Sequence, residues 1–309
     1  MNWTPLGSRI AILLVATLII ADQATAETLR YRQSGDWTDL HTGGATNGWA
    51  KNNGAVHGSL PGAADDARIN FGGNTVSVNS AVPAVSRVQI GVDESGTVEV
   101  NSGGVLTANQ DILAGNNNSN ATGTLIVKDG GEVNVGRILW AAQDNSDGVI
   151  EVQAGGVINV ASHLWWGVTG AADIDIYGTI NQTGGILGLG TNNASTATGG
   201  TATVDIQDGG LLALNNISGA AGLPSVQAGS LINIEGSGEL TVPGDVLGLL
   251  NSYVGANKIA GAGVPGSSSL VVDLTKNPGF TTVYLSAIPE PTSLLLFVAG
   301  LPILGARRR

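Results

Sequence analysis

The chain has 309 residues and a net charge of −11. That balance argues against nucleic acid as a partner, since phosphate binding needs a basic face. It has no cysteine, which excludes disulfide staples, thiolate metal sites and cysteine nucleophiles. Glycine, at 47 residues, is about twice its usual share. A 42% hydrophobic fraction with only 12% charged residues predicts a turn-rich all-β chain with a core, not a disordered one.

Residues 1–26 read as a secretory signal peptide. Arg9 supplies the charged start and residues 10–20 (IAILLVATLII) the apolar run, which is short for a membrane span. Ala24 and Ala26 give the small-x-small cleavage pattern, so the mature chain starts near Glu27. The other reading of this segment is an uncleaved N-terminal anchor. Residues 27–70 are polar and irregular. They read as an N-terminal cap, with Trp37 and Trp49 packing over the first coil of a repeating body.

Residues 71–245 carry that repeat. Its units open TVEVNSGGVLTA, TLIVKDGGEVNV, VIEVQAGGVINV and TVDIQDGGLLAL, with LINIEGSGELTV, DIDIYGTINQ and TVSVNSAVPAV as looser copies. Each unit is an alternating run, a double-glycine turn, a second alternating run and a third short apolar run. Val76, Val98, Leu125, Ile150, Ile174, Val204 and Ile232 mark the register, at spacings of 22 to 30 residues. Period two means strands with one buried face. Pairs such as Gly130-Gly131 allow the positive φ of a tight corner. Similar units at near-constant spacing bury a continuous core only by stacking. The expectation is therefore a parallel β-solenoid of seven coils, a rod on the order of 34 Å long at about 4.8 Å per coil. An antiparallel sandwich of hairpins would want Asn-Gly turns between strands, and these are scarce. The body resembles the autotransporter-like β-solenoid repeats of exported bacterial surface proteins, most clearly at residues 123–135.

In the third run, Ile138-Leu139-Trp140 and His163-Leu164-Trp165 lie 25 residues apart, one local repeat. Trp140 and Trp165 are thus expected as stacked neighbours. Leu113, Leu139 and Leu164 are expected to share one inward slot, which turns the two tryptophans outward and Trp166 inward. An exposed aromatic pair is a platform for sugar rings, whereas a buried pair only stabilises the rod. The polar insertions at 115–123, 143–148 and 191–200 fall at one corner of the coil, the usual side for contacts in a solenoid.

Catalytic constellations are thin. Asp173 and Asp175 flank Ile174 on one strand face, and Asp129 and Asp208 sit at matching turns. Solvated turn aspartates explain them equally well. His41, His57 and His163 lie far apart. Asp144-Asn145-Ser146-Asp147 falls short of a calcium loop, so no metal or cofactor is expected. A regular threonine array for ice binding is also missing, with only Thr196-Ala197-Thr198 and Thr201-Ala202-Thr203 as fragments.

Residues 246–287 read as a C-terminal cap. It begins with a short helix or loop around VLGLLNSYV, followed by two closing strands at 270–274 and 281–287. The chain ends IPEPTSLLLFVAGLPILGARRR. The apolar stretch 293–306 reaches about 21 Å as a helix, short of a hydrocarbon core of about 30 Å. Three final arginines resist translocation and stay cytoplasmic. Pro289, Glu290 and Pro291 with Arg307, Arg308 and Arg309 around that stretch closely resemble the PEP-CTERM sorting signal. This tail is also labelled an ice-binding protein C-terminal domain. The resemblance implies processing by an exosortase-type membrane protease after transient insertion in the inner membrane. It also implies a Gram-negative-type bacterium with exopolysaccharide or biofilm matrix.

Together these readings predict an all-β parallel β-helix flanked by a signal-peptide helix and a short hydrophobic C-terminal helix. Its expected role is structural or adhesive at the cell envelope or in the extracellular matrix, in contact with exopolysaccharide. The alternatives are a polysaccharide lyase or hydrolase on the same scaffold, and an ice-binding protein.

Overall fold

A computed structural model describes residues 26–41, 48–117, 120–192, 197–219 and 225–286. Ala24 of the cleavage pattern, Pro289, Glu290, Pro291 and Arg307, Arg308 and Arg309 lie outside the described residues. Ala26 is exposed just ahead of the first strand, Thr28–Tyr31.

The chain is a β-solenoid of about seven turns built from three parallel sheets. The first run of each unit forms a ten-stranded sheet, and the second and third runs form eight-stranded sheets. The sequence register survives coil by coil. Val76 pairs with Val98, Val98 with Leu125, Leu125 with Ile150, Ile150 with Ile174, Ile174 with Val204 and Val204 with Ile232. In the second sheet Leu106, Val133, Ile158, Ile180, Leu212 and Leu240 stack in the same way. All of these are fully buried. Inward Val, Ile and Leu from every coil merge into one core running the length of the rod. Burying each is worth about 1.5–3 kcal/mol. No single coil can hide its apolar face alone, so stacking is obligatory.

The double glycine does two jobs. In Gly130-Gly131 only Gly130 has positive φ, at 70°. Gly131 is needed for a different reason: a Cβ there would lie 2.5 Å from the Val100 carbonyl oxygen of the preceding coil. The same close approach recurs at Gly104, Gly156, Gly178, Gly210 and Gly238. The looser unit containing Tyr177-Gly178 therefore gives up the first glycine and keeps the second.

The segment expected as a cap partly joins the rod. Thr28–Tyr31 and Asp66–Ile69 are parallel members of the third sheet, and Gly35–Asp36 pairs parallel with the first. The expected boundary at 70 thus falls inside the sheets. Closure comes from Trp49–Lys51, which runs antiparallel along Thr28–Tyr31. Trp37 and Trp49 are fully buried, and the Trp49 indole N–H donates to the Trp37 carbonyl at 2.7 Å. At the far end the helix Leu247–Gly255 buries Leu250 and Tyr253. The Tyr253 hydroxyl donates to the Ile217 carbonyl and accepts from the Ser225 N–H. Leu270–Asp273 and Phe280–Leu285 form an antiparallel hairpin on Glu239–Pro243 and end the second sheet. An antiparallel strand thus ends the third sheet at the N-terminal end of the rod, and the hairpin ends the second sheet at the other. Among the described residues no helix is long and apolar enough to cross a membrane.

Candidate functional site

With the interior filled, the outward side chains of the three sheets are what the rod presents. Each sheet carries a different chemistry.

On the third sheet Trp140 pairs with Trp165, and Leu139 with Leu164. The inward slot belongs to Ile112, Leu139, Leu164 and Leu187. The expected place of Leu113 there is corrected: it pairs with Trp140 on the outward side. Alternation fails to fix this because Ile112, Leu113 and Ala114 are all apolar, so only the register distinguishes the faces. Trp166 does point into the core and is fully buried. The two outward rings are neighbours, with centroids 6.5 Å apart and planes tilted by 47°.

They are not an open platform, however. Trp165 is 5% exposed and packs in a small outer cluster with Val168, Ile138, Trp140 and Ile186. One of its faces is stacked on the His163 ring at 4.7 Å. Its bulk also reaches over Gly188 of the next coil, where an added Cβ would strike the indole. Trp140 stays half-exposed. Burial holds the His163 imidazole below its ordinary range. Its Nδ1 accepts the Ile186 N–H at 3.1 Å, which fixes the neutral ring.

On the second sheet Asn134, Asn159 and Asn181 occupy one column. Asn159 donates to the Asn134 side-chain oxygen at 3.0 Å, and Asn181 to that of Asn159 at 3.1 Å. A groove of about 300 Å³ runs beside this ladder, lined by Asn109, Asn134, Asn159, Thr107 and Thr183. Such a surface offers amide donors to hydroxyl-rich ligands. Aligning the units by their second run would have revealed it, because each asparagine follows its register residue by one.

The first sheet is acidic. Glu151, Asp175 and Asp205 stack in successive coils, and Asp173 lies two residues before Asp175. Burial pushes the Asp175 carboxyl above the usual range. The Gln207 amide opposes this, and the charges of Asp173, Asp205 and Glu151 add to it. Asp147 and Asp173 line a groove of about 420 Å³ with Thr122, Thr201 and Thr203, and no basic residue lines it. Asp129 and Asp208 take up the matching turn positions expected of them, and Asp208 accepts from the Ser237 N–H and hydroxyl. Thr75, Thr97 and Thr124 form a single column. It is broken by Val149 and Asp173 in the next two coils. Among the described residues no group of three or more His, Asp or Glu is placed to hold a metal ion.

Comparison of the chain with protein-family models, curated proteins and solved structures finds no match.

Proposed function

We propose that the protein is an exported, non-enzymatic rod of the cell envelope or extracellular matrix, structural or adhesive in role, that contacts exopolysaccharide. The observation that supports this most is the stacking of Asn134, Asn159 and Asn181 at one coil spacing, about 4.8 Å. An extended polymer repeats at a comparable interval, so one chain can meet the same type of side chain again and again. The half-exposed Trp140 and the asparagine ladder are surfaces of the kind that take sugar rings and hydroxyls.

Delivery follows from the ends of the sequence. The signal peptide closing at Ala24 and Ala26 starts export. The tail, with Pro289, Glu290 and Pro291 outside the membrane and Arg307, Arg308 and Arg309 inside, holds the chain in the inner membrane until an exosortase-type protease cuts it. The host is then a Gram-negative-type bacterium. Intact-mass analysis of the exported protein tests this directly. The expected mature chain begins near Glu27 and lacks the arginine cluster; a mass that runs to Arg309 overturns the sorting claim. The contact claim is tested by retention on exopolysaccharide columns. It predicts binding that weakens in Trp140→Ala, and it is overturned if no glycan is retained.

A further inference from the structure

The outward column of the third sheet does not stop at the tryptophans. Parallel register continues it from Trp165 and Trp140 through Leu113, Gln89 and Arg68 to Arg30. Arg30 and Arg68 are thus direct neighbours on adjacent strands. Like charges so placed are destabilising unless an opposite charge answers them. Two more arginines lie on this side: Arg87 opens the strand Arg87–Ile90, and Arg137 immediately precedes Ile138–Ala141. The remaining arginine of residues 27–286 is Arg32, which lies over the Phe71 ring. A chain of net charge −11 has therefore gathered four of the five arginines of residues 27–286 on one face.

Internal carboxylates answer most of them. Asp111, only 4% exposed, accepts from Arg137 Nε at 2.8 Å and lies 3.5 Å from Arg87. Asp93 lies 3.5 Å from Arg30. Arg68 is different. Among the described residues it has no ion-pair partner, although Asp66 stands two positions earlier on its strand. Its Nε, like those of Arg30 and Arg87, is buried without a hydrogen-bond partner. Beside it in the column, Gln89 is 7% exposed and its Oε1 is likewise without one.

We propose that the outer face of the third sheet binds an anionic, uronate-bearing polysaccharide laid along the rod axis. Its carboxylates meet Arg68 and Arg30, and a sugar ring meets Trp140. Guanidinium forks suit carboxylates bidentately. Arg68 and Trp140 are three strands apart, roughly 14 Å, a span that a short oligosaccharide covers. This rests on the exopolysaccharide reading and adds to it the polymer's charge class and the face that holds it. The acidic first sheet turns the same polymer away.

The test uses the mature protein on immobilised alginate, a polyuronate, and on dextran, which is neutral. Alginate should retain the protein and release it as salt rises, while dextran should not retain it. Arg68→Gln should lower alginate affinity about tenfold, with Arg68→Lys falling between it and the wild type. Asp111→Asn, which releases Arg87 and Arg137, should raise it. Thr97→Ala, on the first sheet, should leave it unchanged. Circular dichroism and the melting midpoint of each variant separate lost binding from lost fold. Equal retention on dextran, or alginate binding unmoved by a folded Arg68→Gln, overturns the anionic strip alone. Retention on neither polymer, nor on any other glycan, overturns the exopolysaccharide reading as well.

Discussion

Two adjacent glycines should fail for different reasons. Replacing Gly131 by alanine puts a Cβ 2.5 Å from the Val100 carbonyl oxygen and 3.0 Å from that of Lys128, where ordinary contact begins near 3.4 Å. Both neighbours are backbone, so coils must part by almost an ångström. That carbonyl of Val100 accepts the Lys128 N–H at 2.9 Å, and the Glu132 N–H reaches Gly104 at 2.9 Å. Overpacking costs about 1–3 kcal/mol, and weakening two ladder bonds adds about 1 kcal/mol each. A loss of about 3 kcal/mol or more is expected. Alanine at Gly130 meets only the rotatable Ser102 hydroxyl, at 2.8 Å. Its penalty is the left-handed backbone, about 1–2 kcal/mol, less about 0.4–1 kcal/mol from the stiffer unfolded chain. The net is about 1 kcal/mol.

Thermal melts of the purified mature protein read this as a drop of about 2–4 °C for Gly130→Ala and about 6–12 °C for Gly131→Ala. Asparagine, which tolerates left-handed φ, should rescue position 130 and not position 131. Equal losses at the two sites, or a neutral Gly131→Ala, would show that inter-coil clearance is not what selects the second glycine.

Three further outcomes are expected. Asp111→Ala should cost about 2 kcal/mol, the value of a charged hydrogen bond discounted for the partly exposed arginines; an unchanged urea midpoint would refute it. Asp175 has a raised carboxyl range, so its ionisation opposes folding at neutral pH and not once both states are protonated. Asp175→Asn should therefore melt higher than wild type at pH 7, with the difference vanishing in acid; a difference that persists at low pH points to packing instead. His163 is depressed by burial, so the unfolded chain takes up its proton first. Stability should fall as pH drops through the ordinary histidine range towards the lower folded value, and His163→Gln should flatten that step in a urea-midpoint series.

The strand registers of the first and second sheets were legible because Val98, Leu125, Ile150 and their counterparts alternate with polar residues and recur at near-constant spacing. A buried core then permits only one register, since a slip of one residue turns every side chain over. The two closing strands are legible as well, whereas the segment near residue 250 reads as a short helix or a loop and the structure makes it a helix. The third run is less so: the strand Ile112–Ala114 is apolar throughout, and alternation carries no signal there for which side Leu113 takes.

The sequence by itself determined that the chain stacks and in what order, because periodicity is local and the core demands it. Only the tertiary structure decided how covered the surface neighbours are, how closely coils approach and which charges are answered. That is why the cover over Trp165, the clearance at Gly131 and the unanswered charge of Arg68 emerge only once the coils are laid on one another. Insertions between strands vary in length, and solvent-facing positions carry no periodic constraint of their own. Their pairing is inherited from the core beneath them.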